Sequence, residues 1–215
     1  MTDLTIDLPD ADATRAFGLA LARELRAGDL VMLTGDLGAG KTTLTQGIGT
    51  GLGVRGQVAS PTFIIARVHP PLADGPYLVH VDAYRLGSLD EVEALDLDAS
   101  LDESVTVVEW GQDLVESLAE DRLEITIERP RGGLGVPAAG ADEPDDGLDS
   151  PEAGVRHVTV RAVGDRWADF ERAATALRAA VVEAVEASGD PDTPLGTSTG
   201  RPDAQALAAD PSAEK

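Results

Sequence analysis

Apolar and polar residues alternate over positions 4–8 as in a short strand, and after Asp10 the spacing becomes that of a helix reaching about Arg26, with Gly28 just beyond it. Asp10 or Asp12 is the expected N-cap. Positions 29–34 form an apolar run of the buried-strand type that leads into a glycine-rich loop, and a second helix is expected after Lys41. Gly47, Gly49, Gly51 and Gly53 each weaken that helix by about 1 kcal/mol relative to alanine, so tertiary packing has to hold it. Residues 63–68 and 77–81 read as strands joined by a Pro/Gly turn over 70–76. Ser88 with Glu91 three residues later has the form of a capping box, opening a short acidic helix to about Leu97. Residues 105–108, 123–128 and 155–163 read as further strands, and an Ala-rich amphipathic helix is expected from about Trp167 to Ala187.

Two segments break this patterning. Residues 130–154 are dominated by Gly, Pro, Ala and acids and cannot bury enough apolar surface to offset ordering, so they are expected to be a flexible insert in a hairpin. Residues 188–215 have the same character and are expected to be a disordered acidic tail following a single domain over 1–187. No internal repeat is evident.

Composition narrows the possibilities. With no cysteine there is no disulfide framework, thiolate metal site or cysteine nucleophile. No stretch approaches a membrane span, and the first ten residues lack a basic segment followed by an apolar run, so a cytoplasmic protein is expected. The net charge of -22 makes unaided nucleic-acid binding unfavourable and suits either a solvated acidic surface or a basic partner.

The chemistry is concentrated in residues 35–42, Gly-Asp-Leu-Gly-Ala-Gly-Lys-Thr, which satisfy G-x-x-x-x-G-K-[ST] between a predicted strand and a predicted helix. That context distinguishes a phosphate-binding P-loop from a chance match. The predicted architecture is accordingly the α/β P-loop NTPase fold, a mostly parallel sheet flanked by helices, with an antiparallel C-terminal hairpin. Gly38, Ala39 and Gly40 offer backbone N–H groups to phosphate oxygens, and the N-terminus of the following helix faces the anion. Lys41 is expected to reach the β- and γ-phosphates, Thr42 to hold Mg2+, and Thr43 to extend the cradle toward the α-phosphate. Lys41 and Lys215 are the only lysines among 17 basic residues, and a compact ammonium suits this cradle better than a guanidinium.

A magnesium site also needs a carboxylate, expected at the C-terminal tip of a neighbouring strand. Two predicted strands end in acids, Asp82 and Glu109. Either acid also suits a cap or a solvated turn. Ser60-Pro61-Thr62 suits a switch-like loop near the γ-phosphate or a turn fixed by proline. Arg85 suits a phosphate counter-charge or a pair with a nearby acid; Trp110 suits a nucleotide flank or a sheet cover. His69, His80 and His157 lack metal-ligand spacing and receive no ligand role.

Taken together, residues 35–43, Ser-Pro-Thr-Phe at 60–63, His-Val-Asp-Ala-Tyr-Arg-Leu at 80–86 and Val-Glu-Trp at 108–110 resemble the TsaE (YjeE) family over residues 4–130. The resemblance implies an ATPase required for threonylcarbamoyladenosine modification of tRNA. It assigns phosphate binding to Lys41, magnesium binding to Thr42 and Glu109, support of hydrolysis to Asp82, a switch-like loop to Ser60 through Thr62, and a place beside the nucleotide to Trp110. It further implies work with TsaB and TsaD, in which TsaD transfers the threonylcarbamoyl group and ATP hydrolysis resets that complex, with tRNA met only through it. The acidic segment 90–103 is the expected partner-facing surface.

The rival readings are a P-loop small-molecule kinase and a nucleotide-gated binding module. Against the kinase, no arginine-rich lid segment is evident, and the long insert is unsuited to stabilising a transferred phosphate. A GTPase is disfavoured because a chain without asparagine cannot form an Asn-Lys-x-Asp guanine-reading motif, which favours adenine.

Overall fold

A computed structural model of the chain describes residues 2–130 and 154–188. Seven strands form one sheet in the order β1 (Thr2–Leu8), β7 (Arg156–Val163), β6 (Arg122–Glu128), β2 (Leu30–Thr34), β5 (Ser104–Glu109), β4 (Tyr77–Asp82), β3 (Ala66–His69). The four central strands β6, β2, β5 and β4 run parallel, whereas β1, β7 and β3 pair antiparallel at the two sides. The expected mostly parallel centre and antiparallel C-terminal hairpin, β6–β7, are both present.

Central strands covered on both faces need apolar residues at successive positions, which is why residues 30–33 read as an unbroken run. Val31 and Leu33 join the core under α1 (Ala11–Ala22), α2 (Lys41–Gly51) and α5 (Phe170–Ser188). Leu30 and Met32 join a smaller core on the other face with Val79, Val81, Val108 and Val92 of α3 (Leu89–Glu93).

The glycines of α2 have a packing role beyond their cost in helix propensity. A Cβ on Gly47 would collide with the Arg15 carbonyl of α1, and one on Gly18 of α1 would collide with the Leu44 carbonyl of α2. The two helices therefore approach backbone to backbone, and their bare surfaces set the position of α2 and of the loop that starts it.

Several boundaries differ from the sequence reading. The strand expected over 63–68 begins only at Ala66, because Ile64 and Ile65 donate backbone N–H bonds to the Pro61 carbonyl and Ile65 takes a left-handed φ of 68°. Phe63 and Ile64 stand exposed on that turn. Helix α1 stops at Ala22, short of Arg26, where the chain turns so that Asp29 can accept from Arg26 N–H and meet Arg166. Asp10 is its N-cap, accepting from Ala13 N–H at 2.8 Å. The acidic helix ends early, at Glu93, and resumes as α4 (Asp98–Leu101) after a left-handed Asp96. Ser88 accepts from Glu91 N–H, but the Glu91 carboxylate reaches Gly87 N–H instead of Ser88 N–H. The final helix α5 is preceded by a separate 3-10 turn at Asp165–Trp167. The expected insert and tail fall almost wholly outside the described residues, apart from Pro130, Gly154 and Ser188. Among the described residues, no helix is long and apolar enough to cross a membrane.

Gly47→Ala is expected to lower the urea unfolding midpoint. Alanine improves helix propensity by about 1 kcal/mol, but overpacking costs about 1–3 kcal/mol. A midpoint at or above that of the unaltered protein would refute the close helix approach.

Candidate functional site

Strand β2 delivers the chain to the C-terminal edge of the parallel sheet, where residues 35–40 turn back into α2. Gly35, Gly38 and Gly40 take φ values of 151°, 81° and 117°. At Gly35 the requirement is double, because a side chain there would strike the Ile127 carbonyl of β6. Gly40 is the left-handed residue at the N-terminal end of α2, so Lys41 begins the helix with its N-terminal dipole directed at the loop.

Lys41 is only 4% exposed. Its ammonium donates to the Gly35 carbonyl at 2.7 Å and the Asp36 carbonyl at 2.9 Å, and it lies 3.9 Å from the centroid of the Trp110 ring. Burial lowers its pKa from the ordinary 10.5, and the charges of Glu109, Asp82 and Asp36 oppose that shift. The result is a desolvated cation hydrogen-bonded to neutral acceptors, a setting that favours an incoming anion.

The two strand-end acids are brought together by register. Asp82 of β4 is the direct partner of Glu109 of β5, and Glu109 in turn pairs with Leu33 of β2, two residues before the loop. Both carboxylates are buried. The Thr42 hydroxyl donates to Glu109 Oε1 at 2.9 Å, with Oε2 at 3.3 Å. A hydroxyl and a carboxylate oxygen side by side at the glycine-rich loop form an all-oxygen set that fits a hard cation such as Mg2+.

Asp82 has different partners. Its Oδ2 accepts from Ser60 Oγ at 3.0 Å and from Thr62 Oγ1, whose hydroxyls lie 2.6 Å apart. Its Oδ1 accepts from Tyr84 N–H and caps a 3-10 turn, so the capping reading and the site reading both hold for one residue. The Ser60–Thr62 loop is thus anchored at the site through Asp82.

Trp110 follows Glu109 with φ of 62°, an uncommon conformation for a bulky L-residue, while its N–H bonds the Leu33 carbonyl. This turn lays the indole over Lys41 and against Tyr84, with centroids 5.3 Å apart. Arg85 points elsewhere, its guanidinium 4.9 Å from the Phe63 ring centroid. Ala39 is buried in the loop, and Thr43 is half-buried on the first turn of α2.

Two residues to which the sequence assigned no role also lie at the site. His80, fully buried on β4, places Nε2 2.8 Å from Glu109 Oε1. Its signal was the period-2 relation that puts residues 80 and 82 on one strand face, together with a parallel register that only pairing defines. Arg156, fully buried at the start of β7, lies behind the loop, with Nε 3.6 Å from where a Cβ on Gly40 would stand and one guanidinium N–H donated to the Gly154 carbonyl. A lone arginine in a strand pattern carried no such signal.

A family model described as "Threonylcarbamoyl adenosine biosynthesis protein TsaE" matches residues 8–133. The chain belongs to the TsaE family. It is 62% identical over 155 residues to the tRNA threonylcarbamoyladenosine biosynthesis protein TsaE of Streptomyces coelicolor, covering 72% of this chain and 93% of that one. It is 38% identical over 158 residues to the Bacillus subtilis protein of the same name, covering 73% and 84%. A crystal structure of Bacillus subtilis YdiB superposes with a TM-score of 0.55 at 31% identity, covering 83% of this chain and 95% of that one. The family resemblance drawn from the scattered motifs is therefore correct, and all the motif residues of this TsaE-family chain lie within the matched segment.

The lowered pKa of Lys41 carries a signed consequence. Between its folded-state pKa and 10.5 the unfolded chain binds more protons at this residue than the folded one, so its contribution to stability rises with pH and levels off above 10.5. Unfolding free energies of the unaltered protein minus those of Lys41→Met, measured by urea titration at successive pH values, should climb as pH rises toward 10.5. A flat or falling difference would contradict the burial.

Proposed function

We propose that this TsaE-family chain binds ATP with Mg2+ at the 35–42 loop and hydrolyses it to drive threonylcarbamoyladenosine modification of tRNA, acting on the TsaB–TsaD complex in the cytoplasm. The observation that carries the reading is the meeting of Thr42 and Glu109 at 2.9 Å beside a buried lysine on a left-handed glycine loop.

In this reading the N–H groups of Gly38 through Thr43 and the N-terminus of α2 hold the phosphate oxygens. Lys41 exchanges carbonyl partners for the β- and γ-phosphates, gaining a charge-assisted contact in a desolvated setting. Thr42 and Glu109 are the residues that would hold Mg2+, which when bound neutralises charge on the phosphate oxygens. Asp82 orients the attacking water, and Ser60 and Thr62, already bonded to it, link that carboxylate to the switch-like loop. Trp110 covers the lysine and excludes water from it. Water attacks the γ-phosphorus, the bond to the bridging oxygen breaks, and ADP and phosphate leave. The net charge of -22 supports a division of labour in which protein partners contact the tRNA and the acidic segment 90–103 faces those partners.

Reconstitution tests this directly. The protein alone should hydrolyse ATP slowly and TsaB with TsaD should accelerate it; repeated rounds of tRNA threonylcarbamoylation should require the chain. Lys41→Ala and Glu109→Ala should each reduce partner-stimulated hydrolysis by about 100-fold or more. Stoichiometric phosphate transfer to a small acceptor would favour a kinase instead, and full activity in Glu109→Ala with nucleotide-dependent partner binding would favour a binding module. Charge reversals at Asp90, Glu91 and Glu93 should weaken TsaB–TsaD binding, and unchanged binding would remove that surface from the proposal.

A further inference from the structure

His80 occupies a position where its strand neighbours on either side, Val79 and Val81, are ordinary core residues. The ring is wholly buried, and among the described residues its only hydrogen bond is from Nε2 to Glu109 Oε1 at 2.8 Å, with Nδ1 left without a partner. A buried ring nitrogen without a partner costs free energy that an aliphatic side chain at this position would avoid. The imidazole thus stays at a net penalty on one side for the sake of one contact on the other.

That contact has a defined sense. An ionised carboxylate only accepts, so His80 donates from Nε2. Glu109 Oε1 then takes two donors, His80 Nε2–H and the Thr42 hydroxyl, whereas among the described residues Oε2 has only the longer 3.3 Å approach of Thr42. Two donors on Oε1 fix the plane of the carboxylate and leave Oε2 with capacity to accept a cation. A neighbour that holds a carboxylate by one oxygen and thereby aims the other is the usual device for orienting a metal-binding side chain.

We infer that His80 is a positioning residue of the candidate magnesium site, holding Glu109 through Nε2–H so that its carboxylate is aimed at the cation beside Thr42. The inference rests on the magnesium–ATP reading above. It assigns the histidine no contact with nucleotide and no proton transfer.

The test compares His80→Gln, whose amide nitrogen falls near the position of Nε2, with His80→Asn, whose amide nitrogen falls near Nδ1, and with His80→Leu. Binding of a non-hydrolysable ATP analogue is measured in EDTA, and Mn2+ uptake by the protein–analogue complex is followed by electron paramagnetic resonance. The Gln variant should match the unaltered protein within about threefold, and the Asn and Leu variants should bind Mn2+ about tenfold more weakly, the lower end of the range for loss of such a supporting contact. Analogue binding in EDTA should be the same in all four proteins. Equal Mn2+ affinity in the Gln and Asn variants overturns the inference, as does loss of metal-free analogue binding in parallel with loss of Mn2+. Unaltered protein that takes up no Mn2+ with the analogue overturns the magnesium–ATP reading itself.

Discussion

A lysine ammonium removed from water has to be surrounded by oxygen, and the central architecture of this chain arranges that around Lys41. Two loop carbonyls bond it, an indole face covers it, and the carboxylates of Glu109 and Asp82 act on it from neighbouring strand tips. None of these groups is near Lys41 in sequence except the loop carbonyls. They converge because β4, β5 and β2 run parallel in one register, so that Asp82, Glu109 and the start of the glycine loop reach the same edge together.

The packing of α1 on α2 serves the same end. Bare backbone at Gly18 and Gly47 brings the helices close and seats α2 with Lys41 and Thr42 at its first turn. A helix rich in glycine would fray in isolation, and here burial between α1 and the sheet supplies what propensity lacks. One of the left-handed non-glycine residues stands next to the site, Trp110, whose conformation lays its ring over the lysine. The Ser60–Thr62 turn adds a segment whose two hydroxyls are held by Asp82, linking an exposed loop carrying Phe63 and Ile64 to the buried acid.

Much of the site was legible because P-loop chemistry is local. Backbone N–H groups, a lysine and a threonine work only at fixed spacing within eight residues, so the motif carries its own geometry. Asp82 and Glu109 were legible more weakly, as acids ending apolar runs, since a strand tip is where a parallel sheet exposes its functional groups. His80 was not legible, because its role depends on a diagonal cross-strand contact to Glu109 that no spacing along the chain encodes. The same reason hid Arg156, which reaches the loop from β7 through the pairing of β7 with β1 and β6.

The sequence by itself determined the order of strands and helices, the glycine-rich loop over 35–42 and, through the joint spacing of its motifs, membership of the TsaE family. These properties are written in local periodicity and short-range stereochemistry. Tertiary structure alone decided where β3 begins, where the acidic helix breaks, why α2 tolerates its glycines, and which buried side chains hold the acids in place. The last two depend on contacts between residues distant along the chain, such as Gly47 against Arg15 or His80 against Glu109, and the first two on left-handed turns at Ile65 and Asp96 that the apolar pattern does not reveal. A backbone clash or a single hydrogen bond there outweighs the propensity of the segment itself.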